Sequence, residues 1–145
     1  MIIGISDFIS MDTSYYESTY KQLCPSGDGG YKKKEVLFKS YADLFTFACI
    51  LGMIANEKEP IEKRRNEIRW GSIKDSSKGR LIALSVARHG DVSIMKDPKM
   101  LKDDLEQRAN HGMKIINEKI SLSGVDYKTF SLFLNDIMQP REINF

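Results

Sequence analysis

Cysteine, histidine, tryptophan and proline are all scarce in this chain, at two, two, one and four among 145 residues. Each scarcity excludes something. Cys24 and Cys49 supply neither a disulfide framework nor a metal-binding spacing, which fits a reducing compartment and makes the cytoplasm the expected location. His89 and His111 each precede a glycine, have no further ligands at metal-binding spacing, and read as structural residues. A phosphate-cradling loop is missing too, because Gly27, Gly29 and Gly30 do not lead into a Lys-Ser or Lys-Thr pair. The longest apolar run, Leu44 to Ala55, is too short to cross a bilayer, and the opening MIIGISDFIS lacks the basic residues that precede the apolar stretch of a secretory signal. Neither a membrane role nor a cofactor is expected.

What is present suits an ordinary globular domain. Hydrophobic residues at 41% and charged residues at 29% argue against disorder. A chain of this length fits one domain that buries roughly two-thirds of its unfolded surface. The net charge of +2 hides an uneven distribution: residues 1–57 carry five basic and seven acidic side chains, 58–80 eight and four, and 81–145 nine and nine. The positive excess therefore sits between Lys58 and Arg80.

Read along the chain, Ile2, Ile3 and Ile5 suggest a short strand or extended arm. Asp12 is placed to cap a helix from Thr13 to Leu23, with Tyr16, Tyr20 and Leu23 on one face. Pro25 and the run Ser26-Gly27-Asp28-Gly29-Gly30 form the best candidate for an internal linker. Lys32, Lys33 and Lys34 then lead through Val36, Leu37 and Phe38, an extended approach to the next helix. Ser40 with Asp43 resembles a capping box and opens what should be the central helix. Leu44, Ala48, Leu51 and Ala55 make one stripe and Phe47, Ile50 and Ile54 another, so this helix is apolar over most of its circumference. The stretch from Asn56 to Pro60 ends it, proline disfavouring helical geometry in the residue before it.

Beyond it, Glu67-Ile68-Arg69-Trp70 alternates as an exposed strand or hairpin does. Ser76 or Ser77 can cap a helix from about Lys78 to His89, with Leu81, Leu84 and Ala87 inward and Gly90 closing it. Asp97-Pro98 starts a long helix whose seam is Leu101, Leu105, Ala109, Gly112, Ile116 and Ile120, stopped by Gly124. Asp126 caps a last helix that presents Tyr127, Phe130, Phe133, Leu134 and Ile137 before Pro140. The expected fold is mainly α, a compact irregular bundle of about four to five helices with room for a short β-hairpin. It is read as a single domain over 1–145, with 1–30 as an N-terminal arm and helix.

Chemistry is hard to find. Carboxylates such as Asp103, Asp104 and Glu106 could be assembled by a metal-dependent nuclease, but in the first turns of a helix they read as a solvated face that favours the dipole. Cys49 reads as a small core residue. No catalytic, cofactor-binding or metal residue is assigned. The basic segment is the one surface with functional potential: Lys63, Arg64, Arg65, Arg69, Lys74, Lys78 and Arg80 can meet phosphates, and Trp70 can stack on an exposed base. Glu59, Glu62 and Glu67 are interleaved, however, so a plain charged surface with Trp70 folded into the core is the favoured reading and nucleic-acid contact the alternative.

Four stretches together resemble a known bacterial family: Phe38 to Gly52 (FKSYADLFTFACILG), Glu67 to Trp70 (EIRW), Leu81 to Leu84 (LIAL) and Arg108 to Gly112 (RANHG). The chain is similar, over about residues 36 to 138, to the proteins encoded beside DNA phosphorothioation (Dnd) genes. A fainter similarity, in Glu59-Pro60, Leu81 to Ala87 and Asn110-His111-Gly112, links the layout to DndE, the small helical component of the machinery that replaces a phosphate oxygen of DNA by sulfur. The resemblance implies a non-catalytic accessory component of a modification or restriction system, with other proteins of that system as partners. Direct binding of double-stranded or nicked DNA is the alternative, and a nuclease acting on modified DNA a remoter one. Homo-oligomerisation is left open.

Overall fold

The computed structural model describes residues 8–23 and 38–123. Expectations for the arm at Ile2 to Ile5, Cys24, the glycine-rich linker, the lysine triplet, the stop at Gly124 and the last helix from Asp126 fall outside the described residues. The chain enters through strand β1 (Phe8–Asp12), which runs directly into α1, three continuous helical pieces at Thr13–Tyr15, Tyr16–Tyr20 (π geometry) and Lys21–Leu23. Asp12 caps it as expected, its carboxylate accepting the Ser14 N–H at 3.2 Å, and Tyr16, Tyr20 and Leu23 are buried together.

Helix α2 (Tyr41–Ala55) is capped by Ser40, whose hydroxyl accepts the Asp43 N–H at 3.1 Å. Its end differs in cause from the expectation. Asn56 adopts a left-handed conformation, φ 54°, and closes the helix before Pro60 is reached. Asparagine tolerates that conformation better than most residues. Strand β2 (Arg64–Arg69) follows and pairs antiparallel with β1, Ile9 facing Ile68 and Met11 facing Arg65, with an irregularity after Ile9. The small antiparallel element is present, but its strands lie far apart in the sequence, joined because Ile9, Met11 and Ile68 share the core.

A short 3-10 turn, Trp70–Ser72, leads to α3 (Asp75–His89). This helix begins earlier than Ser76 or Ser77 would place it: Lys74 occupies the cap without a side-chain bond, and Asp75 in the first turn favours the positive helix end. The inward face is Leu81, Ile82 and Ser85; Leu84 is half-buried and Ala87 exposed, a rotation that brings Ser85 onto a buried carboxylate described below. Gly90 closes the helix at φ 83°. After the 3-10 turn Val92–Lys96, Asp97 caps α4 (Pro98–Ser123) by accepting the Met100 N–H at 3.1 Å. Leu101, Leu105, Ala109, Gly112, Met113 and Ile116 form its buried seam.

The centre is the crossing of α2 and α4. Gly52 lies against the backbone of Arg108, and Gly112 against the backbone of Ala48. Because the lower-numbered residue of each helix meets the higher-numbered one of the other, the two run antiparallel at this point. A Cβ at either glycine would collide with main-chain atoms, which cannot swing aside as a side chain can. Cys49 sits one turn along, buried, with its Sγ 3.6 Å from the Leu105 carbonyl oxygen. Two of the stretches on which the family resemblance rests, Phe38 to Gly52 and Arg108 to Gly112, thus contain the two halves of one helix contact.

Candidate functional site

The charged residues separate into a buried set and an exposed set. On α4, Asp104 is 3% exposed, Glu106 1% and Arg108 4%, so the expectation of a solvated acidic face is wrong for Asp104 and Glu106; Asp103 is half-buried. Burial of ionised groups is costly unless each is paired and hydrogen-bonded. Here they are. Asp104 accepts from Ser85 Oγ at 2.5 Å and pairs with Lys58 Nζ at 3.0 Å and Arg108 Nε at 3.4 Å. Arg108 also donates to Asn56 Oδ1 at 3.0 Å, tying down the left-handed residue that ends α2. Glu106 pairs with Arg64 at 2.9 Å and Lys102 at 3.1 Å, and accepts the Ser10 N–H of β1 at 2.6 Å.

These groups hold the connector between α2 and β2. The Glu59 N–H donates to the Gln107 carbonyl at 3.0 Å, Asn110 Nδ2 donates to the Glu59 and Pro60 carbonyls at 3.2 and 3.1 Å, and the Glu62 N–H donates to Asp12 at 3.0 Å. Arg88 of α3 donates to the Met53 carbonyl at 2.7 Å, a second donor for a carbonyl near the helix end that also accepts the Asn56 N–H at 3.1 Å. Sequence inspection could have flagged the buried acids from one signal: Asp104 and Glu106 flank the seam residue Leu105 on a helix whose apolar face is wide. Lys102 and Arg108, four residues from Glu106 and Asp104, are local partners, whereas Ser10, Lys58, Arg64 and Ser85, up to 96 residues away, leave no local trace.

The eight residues of the basic segment do not converge on one surface. Trp70 is 7% exposed, with Lys78 Nζ 5.4 Å from its ring centroid, so its faces are covered and the stacking role falls away. Lys78 is itself buried and pairs with Asp75 at 3.6 Å. Arg64 is committed to Glu106. Arg65 pairs with Glu67 at 2.8 Å and lies 4.1 Å above the Tyr16 ring, and the bond to Glu67 raises its already high pKa. Arg69 lies 5.0 Å over the Phe8 ring. Lys63, Lys74 and Arg80 are exposed. Lys63 immediately precedes β2 and Arg69 ends it, roughly 20 Å apart at ordinary strand rise.

Two recesses adjoin these residues. One, of about 450 Å³, is lined by Asp12, Tyr15, Glu59, Glu62, Lys63 and Asn110 with their neighbours, so Lys63 opens onto an acidic rather than a basic surface. Burial first, then the charges of Glu59, Asp12, Glu118 and Glu62, raises the Tyr15 hydroxyl above its ordinary pKa. The other is an apolar groove of about 240 Å³ between α2 and α3, with Phe47, Ile50, Leu51, Ile54 and Ile73 along it and Asp43 and Lys74 among its polar lining. Ile54 is 40% exposed there. The second apolar stripe of α2 is therefore the side of that helix that faces the groove. Among the described residues no group of His, Cys, Asp and Glu could hold a metal ion, and no helix is long and apolar enough to cross a membrane. Cys49 is fully enclosed, and burial together with the Asp104 charge pushes its thiol pKa far above the ordinary value.

The fold and its charge distribution define a small, mainly helical domain, centred on a glycine-to-backbone helix crossing and a buried ion-pair network. The family model of DNA sulphur modification system-associated protein 4 matches residues 29–142, and the chain belongs to that family. No curated protein and no solved structure matches it. The Dnd association read from the sequence is borne out.

Proposed function

We propose that this chain is a non-catalytic accessory subunit of a DNA sulphur modification or restriction system, working in the cytoplasm through other proteins of that system. Membership of the family supplies the system. The observation that carries the mode of action is the disposition of side chains: the buried ionisable groups of α4 are tied to one another and to the connector, while α2 turns Phe47, Ile50 and Ile54 toward a surface groove. A rigid scaffold with an apolar groove suits protein contact better than bond making or breaking. Recovery of tagged protein from a host with an intact system is the test. Modification or restriction proteins are expected in the eluate, with Ile54→Asp lowering their yield while the circular dichroism stays unchanged. An eluate without any of them contradicts the proposal.

A second reading is direct DNA binding through the exposed part of the basic segment. It is favoured by the outward positions of Lys63, Arg69, Lys74 and Arg80. Phosphate contacts predict affinity that falls steeply with salt. Gel shifts of intact, nicked and sulfur-modified duplexes at low salt decide it: a shift abolished by replacing Arg69, Lys74 and Arg80 with alanine supports this reading, and no shift with any duplex removes it.

A further inference from the structure

The two strands of the small sheet have edges of different standing. On β1 the outward N–H of Ser10 is taken by the buried Glu106 carboxylate at 2.6 Å, so α4 closes the edge at that point. The edge of β2 is open. In an antiparallel pair the N–H and C=O of one residue point to the same side, and neighbouring residues alternate. The Lys63 carbonyl receives the Thr13 N–H at 2.9 Å, which turns the main-chain groups of Arg64 and Asn66 away from β1. Ser10, directly opposite Asn66, sets the same alternation from the other strand, because its own N–H also points outward. Arg64 and Asn66 are exposed, and among the described residues nothing bonds their outward main-chain groups.

Charge selects what can lie along this edge. β2 carries Arg64, Arg65 and Arg69 against Glu67 alone, three positive and one negative for a net of +2. Carboxylates that approach from elsewhere do not cancel it, since Glu106 is divided between Arg64 and Lys102, and Glu17 between Arg65 and Lys21. Arg69 rests on the Phe8 ring without a carboxylate partner among the described residues. A second β2 laid alongside would bring net positive charge to net positive charge, which guards an exposed edge against self-pairing.

We propose that the open edge of β2 receives an extended acidic segment of a partner protein as an added strand. Main-chain bonds to Arg64 and Asn66 supply the hold, and carboxylates that meet the arginines of the strand supply the selectivity. The edge is a surface apart from the groove between α2 and α3, and the inference rests on the accessory-subunit reading only in taking a protein as the occupant. Ile54→Asp, which tests that reading, should leave the edge unaffected.

The test uses an end-blocked peptide in which glutamate alternates with valine, titrated into the full chain at low salt and followed by fluorescence anisotropy and amide proton exchange. With peptide bound, exchange of the Arg64 and Asn66 amides should slow by at least about tenfold; unchanged rates overturn the proposal. Asn66→Pro removes an outward N–H that the β1 ladder does not use, whereas Asn66→Ala keeps it. The proline variant should bind roughly tenfold more weakly than the alanine variant, as for one lost main-chain bond, with their circular dichroism alike. Equal affinities contradict strand addition. A peptide with lysine in place of glutamate should bind at least about tenfold more weakly, and binding as tight as that of the acidic peptide contradicts the charge selection. If Asn66→Pro does not fold, amide exchange in the unsubstituted protein decides alone. A short DNA duplex that binds when the peptide does not, or a dimer of the free protein that binds no peptide and that Asn66→Pro dissolves, assigns the edge to phosphates or to a second copy and overturns the proposal.

Discussion

Two charged stretches that look alike on paper end in opposite places. Asp104, Glu106 and Arg108 are enclosed and paired, whereas Lys63, Lys74 and Arg80 stand in solvent. The difference arises from what each is attached to. The first group flanks a helix seam that must be buried against α2, so its charges were carried inside and had to find partners there. The second is borne by the residue before β2, the cap of α3 and the outward side of that helix, where nothing draws it in. Density of charge in a sequence therefore says little about function until the apolar pattern beside it has been placed.

The comparison can be broken most forcefully at the helix crossing that forces the burial. Gly52→Val or Gly112→Val drives a side chain into backbone, and we expect a loss of more than about 3 kcal/mol, read as a much lowered or absent cooperative transition in thermal circular dichroism. Native stability in either variant would mean that α2 and α4 do not meet this closely. Asp104→Ala comes next, since it strands Arg108 in the core; urea unfolding should show a cost of about 3–5 kcal/mol.

Cys49 offers a smaller, pH-dependent effect. Its folded pKa is raised, so the stabilisation is fully present below the unfolded thiol value of about 8.5 and is lost as pH rises above it, by up to about 1.4 kcal/mol per pH unit. In a C24S background, modification of the remaining thiol by an aromatic disulfide reagent should follow unfolding rather than thiolate formation in the native protein. Fast labelling of folded protein would place Cys49 at the surface. The smallest effect belongs to the exposed set: Lys74→Ala and Arg80→Ala should each change stability by less than about 0.5 kcal/mol.

Local signals were legible in the sequence wherever one turn of chain decides the outcome. Asp12, Ser40 and Asp97 cap helices where their spacing placed them, and the seam from Leu101 to Ile116 is buried as its periodicity required. Misreadings occurred where the deciding partner is remote. Strand β1 pairs with residues more than fifty positions away, and the polar Ser10 and Asp12 within it hide its alternation. Asn56 rather than Pro60 stops α2, helped by Arg108 across the fold. Ser85 turns inward to reach Asp104, rotating α3 away from Ala87. The basic segment could be seen but not weighed, because the pairing of Arg64 with Glu106 and the packing of Arg65 and Arg69 on Tyr16 and Phe8 are tertiary.

The claim at the centre, that the charges of α4 are bound into the fold, is tested most directly by a double-mutant cycle between Asp104 and Arg108. Urea unfolding of Asp104→Ala, Arg108→Ala and the double variant should give a coupling energy of at least about 1.5 kcal/mol, as expected for groups that share one buried network. Additivity within about 0.5 kcal/mol would show instead that the two residues are independent and that the buried charges are not one network.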